Sequence, residues 1–138
     1  MIPLDRLRDS FEGVIPSVIA TTDADGMPNI SYLSHVHYVD ETHVALSNQF
    51  FSKTTRNLAE NPHACVVVID PTTYEGYRMM LVYERTERRG PVFERLRRDI
   101  DAIAALTGMA GIFKLRSADI YRVVELEKIP AAVDVTDA

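Results

Sequence analysis

The chain has 138 residues, 46% of them hydrophobic and 25% charged, with a formal net charge of −5. That is the balance of one ordinary globular domain, long enough to bury a core without disulfides or metal staples, and its acidity argues against nonspecific binding to nucleic acid or to a membrane surface, both of which need a basic face. The single cysteine, Cys65, excludes an internal disulfide and a CxxC zinc site.

Along the chain, Leu4, Leu7 and Phe11 stand at i, i+3 and i+7, the spacing of a short amphipathic helix, and Gly13 and Pro16 end it. Nothing here resembles the apolar core of a signal peptide, and no later stretch nears the ~20 residues that span a bilayer. The cytoplasm is the expected location. Ser17 to Thr22 reads as a strand rich in β-branched residues, and Asp25-Gly26 marks a hairpin turn. Asn29 to Val39 reads as a second, long and unusually polar strand. His43 to Ser47 reads as a third.

Ser52 to Asn61 is predicted as a helix, with Ser52 at its N-cap and Asn61-Pro62 as its stop. The continuous apolar run Ala64 to Ile69 predicts a fully buried strand, with Cys65 as plain core packing. Tyr77 to Thr86 follows as a strand whose Met79, Leu81 and Tyr83 share one side. Gly90-Pro91 opens a long helix with Phe93, Leu96, Ile100, Ile103 and Thr107 on one face and Arg97, Asp101 and Ala104 on another. Glu94 and Arg98 are spaced for an i,i+4 pair, and Gly108 suits the cap. A last strand region covers Gly111 to Glu127, broken near Ser117. Residues 1–129 thus read as one domain and 130–138 as a tail or linker stub. Five or six strands in hairpin succession predict a mostly β fold with accessory helices, an antiparallel barrel. The absence of βαβ alternation and of a GxGxxG turn argues against a dinucleotide-binding α/β domain.

Two segments carry candidate chemistry. Ser47 to Asn57 joins a strand end to a helix start and gathers hydroxyls with Lys53 and Arg56, in a chain with only three lysines. Free N–H groups at a helix N-terminus point at anions, so Ser52, Lys53 and Thr54 make a candidate phosphate cradle. The plainer reading is a Ser-capped surface helix with solvated charges. The other segment is Ser31 to His37. Strict alternation puts Ser31, Leu33, His35 and His37 on one face and Tyr32, Ser34 and Val36 on the other, as in the polar wall of a ligand groove. The His-x-His pair lacks a third ligand at a convincing spacing, so no metal site is expected. There is no GxSxG elbow, and any hard chemistry would fall to a cofactor.

In order, these segments resemble the pyridoxamine 5′-phosphate oxidase-like, flavin split-barrel family. The resemblance rests on the polar strand, the short strand ending in Ser47-Asn48, the run Phe51-Ser52-Lys53-Thr54 with Asn57-Leu58 and Asn61-Pro62, and the later Gly90-Pro91-Val92-Phe93, Thr107-Gly108-Met109 and Asp119-Ile120-Tyr121. It covers roughly residues 10–128 and points to a bacterial branch in which the domain often precedes signalling modules. It implies a split β-barrel that binds FMN at a homodimer interface, with F420 or haem in related barrels. Lys53 then matches the phosphate-binding lysine, flanked by Ser52 and Thr54. The stretch Leu33, Ser34, His35 and His37 matches the strand along the flavin ring and ribityl chain, and Ser47 and Asn48 match the contact to the phosphate or ribityl region. His37 falls near a position where true oxidases carry lysine. The Arg-containing C-terminal substrate segment of those oxidases has no counterpart, so vitamin B6 oxidation is not the expected reaction. The expected function is a flavin-dependent oxidoreductase of a small molecule. The alternatives are a flavin-binding sensor without turnover, and a cofactor-free interaction domain.

Overall fold

The computed structural model describes residues 2–33, 35–48, 52–106, 108 and 115–130, and the side chains of Asn48, Ser52 and Ile103 are outside that description. A 3-10 turn, Leu4–Leu7, runs into a short helix α1, Arg8–Phe11. The strands are β1 Ser17–Thr22, β2 Pro28–Leu33, β3 His37–Asp40, β4 His43–Asn48, β5 His63–Ile69, β6 Gly76–Glu87 and β7 Ser117–Lys128. Helix α2, Ser52–Glu60, lies between β4 and β5, and α3, Pro91–Leu106, between β6 and β7.

All strands join one antiparallel sheet in the order β2-β1-β5-β6-β7-β4-β3. The chain itself forces that sheet to curl. A flat sheet of seven strands would hold its outer strands nearly 30 Å apart, at about 4.8 Å per step. Yet Leu33 ends β2 at one edge and His37 begins β3 at the other, and four peptide steps reach about 14 Å at most. The two edges therefore approach each other. No ladder pairs β2 with β3 among the described residues, so the barrel stays split along that seam. Helix α1 sits against the seam, where the Val36 amide donates to the Phe11 carbonyl at 2.9 Å.

The expected single strand from Asn29 to Val39 is thus corrected to two strands at opposite edges. The strand breaks off after Leu33, and residues 35 and 36 belong to no strand; Val36 and His37, neighbours in sequence, are both buried. Ser34 lies outside the described residues.

Inside the barrel, Ile19, Leu33, Val44, Leu46, Val66, Met79, Leu81 and Tyr121 pack with Leu4, Leu7 and Phe11. A smaller cluster lies under α3, where Leu96 meets Ala45, Ala118 and Ile120. Strands β4 and β7 are therefore covered on both faces where α3 lies, and residues 117–121 are all buried.

Strand β5 corrects a second expectation. Only Ala64, Val66 and Val68 point into the core, while Cys65, Val67 and Ile69 are half-buried on the outside. A barrel has one interior, so every second residue must face out even in an unbroken apolar run. In α3, Ala104 is buried with Leu96 rather than facing out with Arg97 and Asp101. Glu94 is bonded to Arg97 at i,i+3, with Nε–Oε2 3.1 Å, instead of to Arg98. Gly108, φ +72°, fits its capping role. Residues 109–114 and 131–138, and with them the predicted start of the last strand and the tail, lie outside the described residues.

Candidate functional site

Helix α2 presents one face to the sheet and one to solvent, because Thr54, Asn57 and Leu58 recur at helical spacing. Thr54 is only 2% exposed. Its hydroxyl lies 3.4 Å from Ser31 Oγ, and the Asn29 amide donates to it at 3.4 Å. One turn on, the buried Asn57 amide donates to Thr21 Oγ1 at 3.1 Å. Just past the helix, Asn61 donates to Thr22 Oγ1 at 2.8 Å. These contacts tie α2 to β1 and β2, although its chain arrives from β4 near the opposite edge. The helix start is thereby held beside the seam.

Lys53 and Arg56 are exposed at that start. Neither makes an ion pair with a described residue, whereas Arg78, Arg85, Arg97, Arg122 and Lys128 all do. Of the residues expected to cradle a phosphate, Lys53 therefore stands free in the first turn of α2. Thr54 is turned inward and positions the helix, and the Ser52 side chain is outside the description. At the end of β4, Ser47 is buried beside Ala118 and Asn48 pairs with Ser117. Leu33 closes β2 and packs in the barrel core. Asn29, Ser31, Thr21 and Asn57 went unread in the sequence as a group. Only the helical spacing of Asn57 from Thr54 hinted at it, since the strand partners are brought in by the fold.

The histidines form a second group across the seam. The rings of His35 and His37 stack with centroids 4.2 Å apart. They meet through the break between β2 and β3 rather than through alternation on one strand. His37 is 3% exposed, and Asp99 Oδ2 of α3 lies 3.5 Å from its Nδ1. Burial, with His35 and Arg95 adding to it, pushes the His37 pKa down to about 3. Burial also lowers His35, partly offset by Asp99 and Glu12. Both imidazoles are neutral at pH 7, and His35 Nδ1 and His37 Nε2 are buried with no hydrogen-bond partner among the described residues. A cavity of about 280 Å³ opens beside His37 between α1, β3 and α3. Arg78 of β6 is committed to Glu127 of β7, with Nε–Oε1 3.0 Å.

An antiparallel sheet rolled into a split barrel, seamed between β2 and β3 and bridged by α2, is the fold of the flavin split-barrel class. Residues 4–125 match the family described as pyridoxamine 5′-phosphate oxidase, and the chain belongs to that family. No match is found among the curated proteins. Among solved structures, the chain is similar to an FMN-binding protein from Syntrophomonas wolfei, with a TM-score of 0.76 and 16% identity over 93% of this chain and 87% of that one. It is also similar to HupZ from Group A Streptococcus, with a TM-score of 0.70, 21% identity and 94% of each chain covered. HutZ, the haem storage protein of Vibrio cholerae, superposes with a TM-score of 0.59 and 18% identity over 92% of this chain and 94% of its own. At these identities the likenesses speak for the fold.

Proposed function

We propose that this chain is an FMN-binding split-barrel protein that acts as a cytoplasmic, flavin-dependent oxidoreductase on a small molecule. The observation that carries the reading is the free cation at the start of α2, anchored by the Asn29–Ser31–Thr54 cluster. A flavin phosphate holds nearly two negative charges. It needs a fixed cation and oriented N–H donors, and Lys53, Arg56 and the first-turn amides of α2 are of that chemistry. Bound FMN would supply hydride and single-electron transfer, and the protein's part is to hold and orient it. Family membership and the Syntrophomonas wolfei relative support the same reading.

The partner we propose is a second copy of the chain. On the outside of the barrel, Ile30 and Tyr32 of β2 are 69% and 78% exposed. They stand beside Ala20 and Val18 of β1, which in turn neighbour Cys65 and Val67 of β5. A two-fold contact would cover this apolar face on both molecules at once.

A second reading has its own observation. The neutral His35, half-buried, and His37, buried, hold ring nitrogens with no partner among the described residues, which suit an iron porphyrin, and HutZ is a haem storage protein. The absorbance spectrum of the purified protein tests both readings. Two flavin bands, with FMN released on denaturation, support the first, and a Soret band replaces it with the second. F420, a deazaflavin, would be identified by the mass of the released cofactor. Stopped-flow oxidation of the reduced flavoprotein by candidate acceptors, after NAD(P)H, then separates an enzyme from a sensor without turnover.

A further inference from the structure

The cavity beside His37 has a chemistry of its own, and none of its walls belongs to α2. Arg8, Arg95, Asp99 and His37 supply its polar groups, with Tyr38 and Val39 between them. Tyr38 fixes both guanidiniums at the rim. Its ring lies under Arg8, with Cζ 4.1 Å from the ring centroid. Its carbonyl accepts from Arg95 Nη2 at 2.9 Å. A guanidinium stacked on a ring keeps its in-plane N–H groups free, and one that spends a single N–H keeps several more. Both arginines can therefore still hold a carboxylate.

Asp99 is half-exposed and lies 3.5 Å from His37 Nδ1. A neutral imidazole can present Nδ1–H towards that carboxylate. Nε2 is buried and has no partner among the described residues. The ring therefore meets the cavity on its Asp99 side. The charges lining the cavity are two guanidiniums, one carboxylate and a neutral imidazole.

We infer that this cavity binds a free α-amino acid, its carboxylate held by Arg8 and Arg95 and its ammonium by Asp99, beside the His37 ring. A simple carboxylate would leave Asp99 unmatched. A simple amine would leave the two guanidiniums unmatched. The volume suits a ligand of this small size. This inference does not rest on the flavin reading, because Lys53 and the start of α2 play no part in it.

Calorimetric titration of the purified full chain tests it, with L-leucine and L-glutamine as probes. Isocaproate, which is leucine without its ammonium, and isoamylamine, which is leucine without its carboxylate, are the controls. At least one amino acid should bind. If leucine does, each truncated control should bind about tenfold more weakly or worse, the scale of one charge-assisted contact. Arg95→Gln should weaken amino-acid binding by at least about tenfold, and Asp99→Asn should erase any preference over the deaminated acid. Both side chains are exposed, so neither change threatens the fold. Failure of both amino acids to bind, isocaproate binding as tightly as leucine, or an unchanged affinity in Arg95→Gln would each overturn the assignment, whatever the absorbance spectrum shows.

Discussion

At the start of α2, Lys53 stands exposed with no acidic neighbour among the described residues, while Thr54 next to it is locked into the sheet. A charge-assisted contact from Lys53 to a flavin phosphate contributes about 1.5–3 kcal/mol. Lys53→Ala should weaken FMN binding by roughly 10- to 150-fold and leave riboflavin, which has no phosphate, almost unchanged. Equal losses for the two ligands would place the phosphate elsewhere. Two histidines respond to pH with opposite sign. His37 has its folded pKa lowered to about 3 from 6.5 by burial. It favours the unfolded state as that state takes up protons, so stability is lost as pH falls from about 6.5 towards 3. Burial lowers His43 as well, but its hydrogen bonds to Asp40 and Glu84, at 2.9 and 2.7 Å, more than reverse the effect and leave its pKa raised. Its contribution is complete below the unfolded value of 6.5 and disappears as pH rises through the higher folded value. Denaturant midpoints of His37→Gln should fall less steeply on acidification than those of the parent. His43→Gln should lose an advantage of no more than about 1 kcal/mol, and only on the acid side of that window.

At the scale of elements, α2 matters most for where it is fastened. Asn57 and Thr21 are both buried and satisfy each other across the helix–sheet junction. Asn57→Ala removes the donor and leaves Thr21 Oγ1 without it, at a cost of about 1–3 kcal/mol. Asn61→Ala, at a half-buried position, should cost less. Urea unfolding of the two variants measures the difference, and equal losses would show that burial at this junction is not decisive. Because the same junction holds Lys53 beside the seam, Asn57→Ala should weaken FMN and riboflavin alike, unlike Lys53→Ala.

For the whole molecule, the split barrel leaves an apolar outer face on β2, β1 and β5 that no helix covers among the described residues. A stable isologous dimer buries at least about 1,200 Å² in total. Light scattering at micromolar concentration should give twice the chain mass. Tyr32→Glu, which puts a charge into that face, should give the monomer without loss of secondary structure. A monomeric parent would remove the proposed partner.

Much of this architecture was legible beforehand because it is written in local patterns. β-branched alternation marked β1, the period-3.6 stripe marked α3, and Asn61-Pro62 marked the end of α2. The order Ser47-Asn48, Ser52-Lys53-Thr54 and Asn57 carried the family. What the sequence could not decide was set by long-range geometry. The polar stretch from Asn29 to Val39 has one continuous alternation, and only the curling of the sheet shows that it must part between Leu33 and His37 to serve both edges. The apolar run of β5 looks buried on both sides, and only the closure of the barrel, with a single interior, turns Cys65 and Val67 outward. Arg8, Asp99 and His37 are spread over three elements with no shared spacing. They become one site because α1 and α3 pack against the same end of β3, and local sequence holds no record of which distant elements will meet.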